Sequence, residues 1–179
     1  MIGHVKTGTK RIASAGRSAC TLFTAVMGCG SASAQDIKAF DANAYPAGVQ
    51  KVLQSARDEC KAEGGGEVQF AADTVRTLDL TGAGRSDYIV DLRNAECPGR
   101  EGAYCGTGGC ELSIVATLPA GGTRLVFEQQ VRDYEVLSGR GVRTVRFTLH
   151  GGYCGGHGNP SCIKTRRITS QPFKFTMPK

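Results

Sequence analysis

The chain has 179 residues, 40% of them apolar, with 25 glycines and eight cysteines. That size holds one ordinary domain or two very small ones, and the apolar share supports a modest core, so a disordered chain and a multidomain assembly are both excluded. The formal charge of +6 is uneven: residues 35–131 carry 9 basic and 14 acidic side chains, a net of −5, whereas 132–179 carry 9 basic and 2 acidic, a net of +7.

In residues 1–34, Lys6, Lys10, Arg11 and Arg17 meet no acid and precede a short apolar-to-small run, Ala19 to Met27, and then Ala32-Ser33-Ala34. This is the outline of a signal peptide, with cleavage expected after Ala34 and a mature chain beginning at Gln35. A rival reading takes Val26-Met27-Gly28-Cys29 as a lipobox, which would anchor the protein by a lipid on Cys29. The apolar run falls well short of the roughly 20 residues that a membrane-spanning helix needs. The expected localisation is therefore periplasmic or secreted, with the lipid-anchored form as the alternative.

Beyond residue 34 remain Cys60, Cys97, Cys105, Cys110, Cys154 and Cys162. An even set in a short exported chain reads as a disulfide framework, for which six cysteines allow about 15 pairings. The short, glycine-rich intervals favour Cys105 with Cys110 and Cys154 with Cys162, which by elimination leaves Cys60 for Cys97.

Pro46 opens a segment in which Val49, Val52, Leu53, Ala56 and Cys60 recur at three- and four-residue steps, predicting one amphipathic helix over about 46–63. Gly64-Gly65-Gly66 supplies its stop. After it, β-rich runs at 67–70, 75–80, 88–92, 111–118, 124–130, 134–137, 142–149, 163–169 and 173–177 are separated by turn residues. Val145, Phe147 and Leu149 alternate with Arg146 and Thr148, the period of a half-buried strand. The short Gly-rich connections favour antiparallel hairpins. The expected fold class is α+β and β-dominated: antiparallel sheet meanders or a sandwich, with one N-terminal helix, stapled by disulfides.

The string Asp79-Leu80-Thr81-Gly82-Ala83-Gly84-Arg85-Ser86-Asp87 places acids at both ends of a glycine-rich turn, followed by Tyr88-Ile89-Val90. It resembles the loop of FG-GAP and VCBS repeats, in which oxygen ligands at alternate positions wrap calcium. The resemblance assigns ligand positions to Asp79, Thr81 and Asp87, whereas Ala83 offers no side-chain oxygen. With Tyr104-Cys105-Gly106-Thr107-Gly108-Gly109-Cys110 and the later His150-Gly151-Gly152-Tyr153-Cys154, the wider pattern resembles a group of uncharacterised exported proteins of Gram-negative bacteria. That likeness implies export but no particular activity.

His150, Cys154, His157 and Cys162 bring four soft or borderline ligands within 13 residues, so zinc or copper competes there with a disulfide. Arg143, Arg146, Arg166 and Arg167 concentrate the late basic excess and suggest an anionic envelope polymer as partner rather than nucleic acid. Neither a G-x-S-x-G elbow nor an H-E-x-x-H motif occurs beyond residue 34, and no thiol is left over to serve as a nucleophile. The expected role is a non-enzymatic structural or binding module of the cell envelope, without a cofactor unless calcium binds.

Overall fold

A computed structural model describes residues 40–139, 142–156 and 160–178. The expected signal segment, the alternative anchor Cys29 and the candidate ligand His157 lie outside the described residues.

Helix α1 (Ala47–Ala62) follows Pro46, whose lack of an N–H costs nothing at a helix start. Val49, Val52, Leu53, Ala56 and Cys60 form its buried stripe. The cap residue offers no side-chain hydrogen bond, and the free Gly48 N–H donates at 3.1 Å to Thr123 Oγ1, 75 residues away. The far end closes as a Schellman turn: Gly64 has φ 82°, its N–H donates to the Lys61 carbonyl, and the Gly65 N–H donates to the Cys60 carbonyl at 2.8 Å.

The described strands form three antiparallel sheets. The smallest pairs β1 (Gln69–Phe70) with β4 (Ala95–Glu96). The largest has β2 (Val75–Leu78), β3 (Asp87–Asp91), β6 (Gly109–Thr117) and β7 (Thr123–Val131) side by side, with β5 (Cys105–Gly106) paired to the first residues of β6. The third has β9 (Val142–His150) between β8 (Asp133–Gly139) and β10 (Ser161–Arg167). Only Arg132 separates β7 from β8, so a single bend carries the chain from one sheet to the other.

These elements stack in three layers around the large sheet. On one face, Val75, Val90 and Val115 pack against the α1 stripe. On the other, Ile89, Leu112, Ile114 and Phe127 meet Val145, Phe147 and Leu149 of β9, together with Ile168. Strand β6 is therefore covered on both sides, and residues Leu112 through Ala116 are all buried. Strand β9 is covered on one side only, and it shows the alternation expected from its sequence.

The architecture is the expected β-dominated, antiparallel arrangement with one helix and three disulfides, in its sandwich form. Differences lie at the margins. The run expected at 75–80 ends as a strand at Leu78, because the chain turns at Asp79. Residues 173–177 are not a strand but an extended strap beside β7, joined to it by one backbone bond, from the Phe173 N–H to the Val126 carbonyl at 2.8 Å. At Phe175 the Gln129 side chain, not the β7 backbone, takes both the N–H and the carbonyl, so the ladder does not continue.

Candidate functional sites

The Asp79–Asp87 loop is organised by its two carboxylates. Asp79 Oδ1 accepts the N–H groups of Gly82 (2.8 Å) and Ala83 (3.1 Å), and Oδ2 accepts that of Gly84 (2.9 Å). The Gly84 amide bond is the main reason the Asp79 carboxyl titrates below its ordinary range. Asp87 is fully buried. Its Oδ2 accepts from Leu80 (2.9 Å) and Thr81 (2.8 Å), and its Oδ1 accepts from Thr117 on β6 (2.8 Å). The Thr117 hydroxyl in turn donates to the Ser86 carbonyl. Six amides are thus bound by two side chains, and each carboxylate, with about four acceptor sites, has one left. Gly82 (φ 73°) and Gly84 (φ 70°) supply the left-handed turns that aim the amides inward. The Thr81 hydroxyl oxygen is buried without a hydrogen-bond partner. Among the described residues no three His, Cys, Asp or Glu side chains are grouped to hold an ion together.

Six cysteines form three disulfides: Cys60–Cys97, Cys105–Cys110 and Cys154–Cys162. The first is buried and pins α1 to the turn after β4, where the Tyr104 hydroxyl adds a 2.8 Å bond to the Ala56 carbonyl. The second joins directly opposed residues of the β5–β6 hairpin. The third closes the turn between β9 and β10, so its sulfurs are bonded to each other rather than free as thiolates. In that turn His150 Nδ1 accepts the Gly152 N–H at 3.2 Å.

A carboxyl that the sequence reading missed is Glu111, half-buried on β6 next to the hairpin disulfide. Burial, aided by the nearby Glu59 and Glu128 carboxylates, pushes the Glu111 carboxyl up to about 7. Burial likewise pushes the Tyr104 phenol up to about 12, with Glu59 the next contributor. The available signal was a lone acid between Cys110 and Leu112 at the entry of an apolar strand.

The four arginines do not share a surface. Arg146 pairs with Glu135 across the β8–β9 ladder, on the solvent face. Arg166 sits opposite inward-facing Val145, and its guanidinium lies 5.1 Å over the Phe173 ring. Arg143 is close enough to Asp79 to lower its pKa further. Arg167, opposite Thr144, is exposed on the outer face. The regional charge excess is therefore divided between two faces of a sheet.

The other feature not anticipated is the clip formed by Gln129 on the strap. Its Oε1 accepts the Phe175 N–H at 3.0 Å, and its Nε2 donates to the Phe175 carbonyl at 3.3 Å. Comparison with family models, with curated proteins and with solved structures finds no match to this chain.

Proposed function

We propose that the protein is exported to an oxidising compartment, periplasmic or extracellular, and acts there as a non-enzymatic binding or structural module of the cell envelope. The observation that carries this reading is the pairing of every cysteine beyond residue 34 into a disulfide. A reducing cytosol keeps such thiols apart, whereas an oxidising compartment joins them. The basic, acid-free residues 1–34 with their small-residue cleavage site supply the means of export. Among the described residues no helix is long and apolar enough to cross a membrane.

Intact mass spectrometry of the protein recovered from its native compartment, with and without reduction, tests the reading. The expected species starts at Gln35 and exposes six alkylatable thiols only after reduction. A lipid mass on Cys29 would replace the soluble form by the anchored one. An uncleaved chain whose eight cysteines can all be alkylated without reduction would overturn the proposal.

A further inference from the structure

Of the three disulfides, Cys105–Cys110 is the one built into neither core. Cys60 and Cys97 are buried in the core beneath α1, and Cys162 packs against the second core. Cys105 is exposed and Cys110 half-buried, and neither belongs to those clusters. Cys154 is exposed as well, but the bridge it makes is anchored through Cys162. The loop closed by Cys105 and Cys110, Gly106-Thr107-Gly108-Gly109, has only the Thr107 side chain to shield the sulfurs. A thiolate from outside therefore reaches this bridge without uncovering apolar surface, and exposed bridges are the exchangeable ones.

Opening the bridge leaves the hairpin supported. Its sequence separation of 5 is the shortest of the three, so it contributes the least loop-closure stability. The Cys105 N–H donates to the Gly102 carbonyl and the Glu111 N–H to the Tyr104 carbonyl, both at 2.9 Å. Tyr104 is itself buried and bonded to α1 through its hydroxyl. At the loop, Arg132 Nη2 donates to the Thr107 carbonyl at 3.2 Å. Cys105 and Cys110 stand directly opposite each other in the ladder, with Cα atoms 4.0 Å apart. Thiols released there remain neighbours and can be rejoined.

We propose that Cys105–Cys110 is a thiol–disulfide exchange site that accepts two electrons from a pair of cysteine thiols on another protein. A partner thiolate attacks the exposed Cys105 Sγ, the bond between the sulfurs breaks, and Cys110 leaves as a thiolate. The partner's second thiolate then attacks the partner sulfur of the mixed disulfide and releases Cys105 as a thiolate. The partner is oxidised to a disulfide; the two protons its thiols lose balance those taken up by Cys105 and Cys110. This exchange goes beyond the binding or structural role and does not depend on it.

The test uses the oxidised mature chain, without denaturant, and a synthetic peptide carrying two cysteines separated by two glycines. Samples quenched over time with N-ethylmaleimide are mapped by mass. Cys105 and Cys110 are expected to become labelled about tenfold faster than Cys154 and Cys162, with Cys60 and Cys97 unlabelled and the near-ultraviolet dichroism retained. Equal rates at Cys154 and Cys162 would refute the assignment, and so would labelling of Cys105 and Cys110 that keeps pace with Cys60 and Cys97, because the bridge would then open only by unfolding. The Cys105→Ser/Cys110→Ser variant should consume no peptide thiol over the same period; undiminished consumption would place the exchange elsewhere. With oxidised glutathione, Cys110→Ser should form a mixed disulfide faster than Cys105→Ser, and the reverse order contradicts Cys105 as the attacked sulfur. Should the variants fail to fold, the wild-type time course decides.

Discussion

Asp87 and Glu111 are two carboxylates with opposite relations to their surroundings. Asp87 is buried yet satisfied, since three backbone N–H groups converge on it from the loop and from β6. Asp87→Asn is nearly isosteric but turns an N–H donor toward N–H donors, so a loss of about 3 kcal/mol is expected, since unmatched buried polar groups cost ~1–3 kcal/mol each. Chemical denaturation should show it as a lower midpoint with an unchanged slope; a loss under about 0.5 kcal/mol would mean that the loop is held by other contacts. Glu111 is half-buried near two other acids, and its folded-state pKa is raised to about 7 from 4.5. The folded protein therefore holds a proton that the unfolded chain releases, and the stability linked to it is complete below about pH 4.5 and lost as pH rises through 7. Solvent screening of the partly exposed group reduces the effect to on the order of 1 kcal/mol. Glu111→Gln should therefore raise the melting temperature at pH 8 and not at pH 4, and equal shifts at both pH values would assign the gain to something other than titration.

At the level of elements, each disulfide closes a loop of a different length. Sequence separations of 37, 8 and 5 residues correspond, in the chain-entropy description, to about 4, 2.5 and 2 kcal/mol. Replacing Cys60 and Cys97 together by serine should therefore be the most damaging of the three paired substitutions, and ranking the three denaturation midpoints checks it. Burial points the same way, because that bridge lies between α1 and the turn after β4, where a Cβ at Gly65 would overlap both sulfurs.

Which elements the sequence announced follows from what determines them. Helix α1 and strands β6, β7 and β9 are long enough for their own apolar period to specify them, and all four were legible. Strands β4 and β5 have two residues each and exist only because β1 and a disulfide-closed hairpin supply partners. The strap mimicked a strand, since Phe173 and Phe175 alternate correctly, but its partner is largely the side chain of Gln129 rather than a backbone. The paired acids at 79 and 87 stood out by spacing, while the direction of their oxygens, toward amides, depends on the fold. Parity in the strands could have divided the arginines in advance: 143 and 146 differ by an odd step in β9, as do 166 and 167 in β10, which places each pair on opposite faces.

Across the whole molecule the large sheet is the shared wall of two cores, one closed by α1 and the other by β8–β10 and the strap. The three cross-links are distributed along the described residues in a simple order: each described cysteine is bonded to its neighbour in sequence, 60 to 97, 105 to 110 and 154 to 162, and no closed loop overlaps another. If the chain is exported as proposed and residues 1–34 are removed, a thread emerging amino end first would meet every correct partner before the next wrong one appeared. Native connectivity then needs an oxidant but no reshuffling. Cells without a disulfide isomerase should accumulate the correctly bonded protein at normal levels, as peptide mass mapping would show, whereas cells deprived of their thiol oxidase should degrade it.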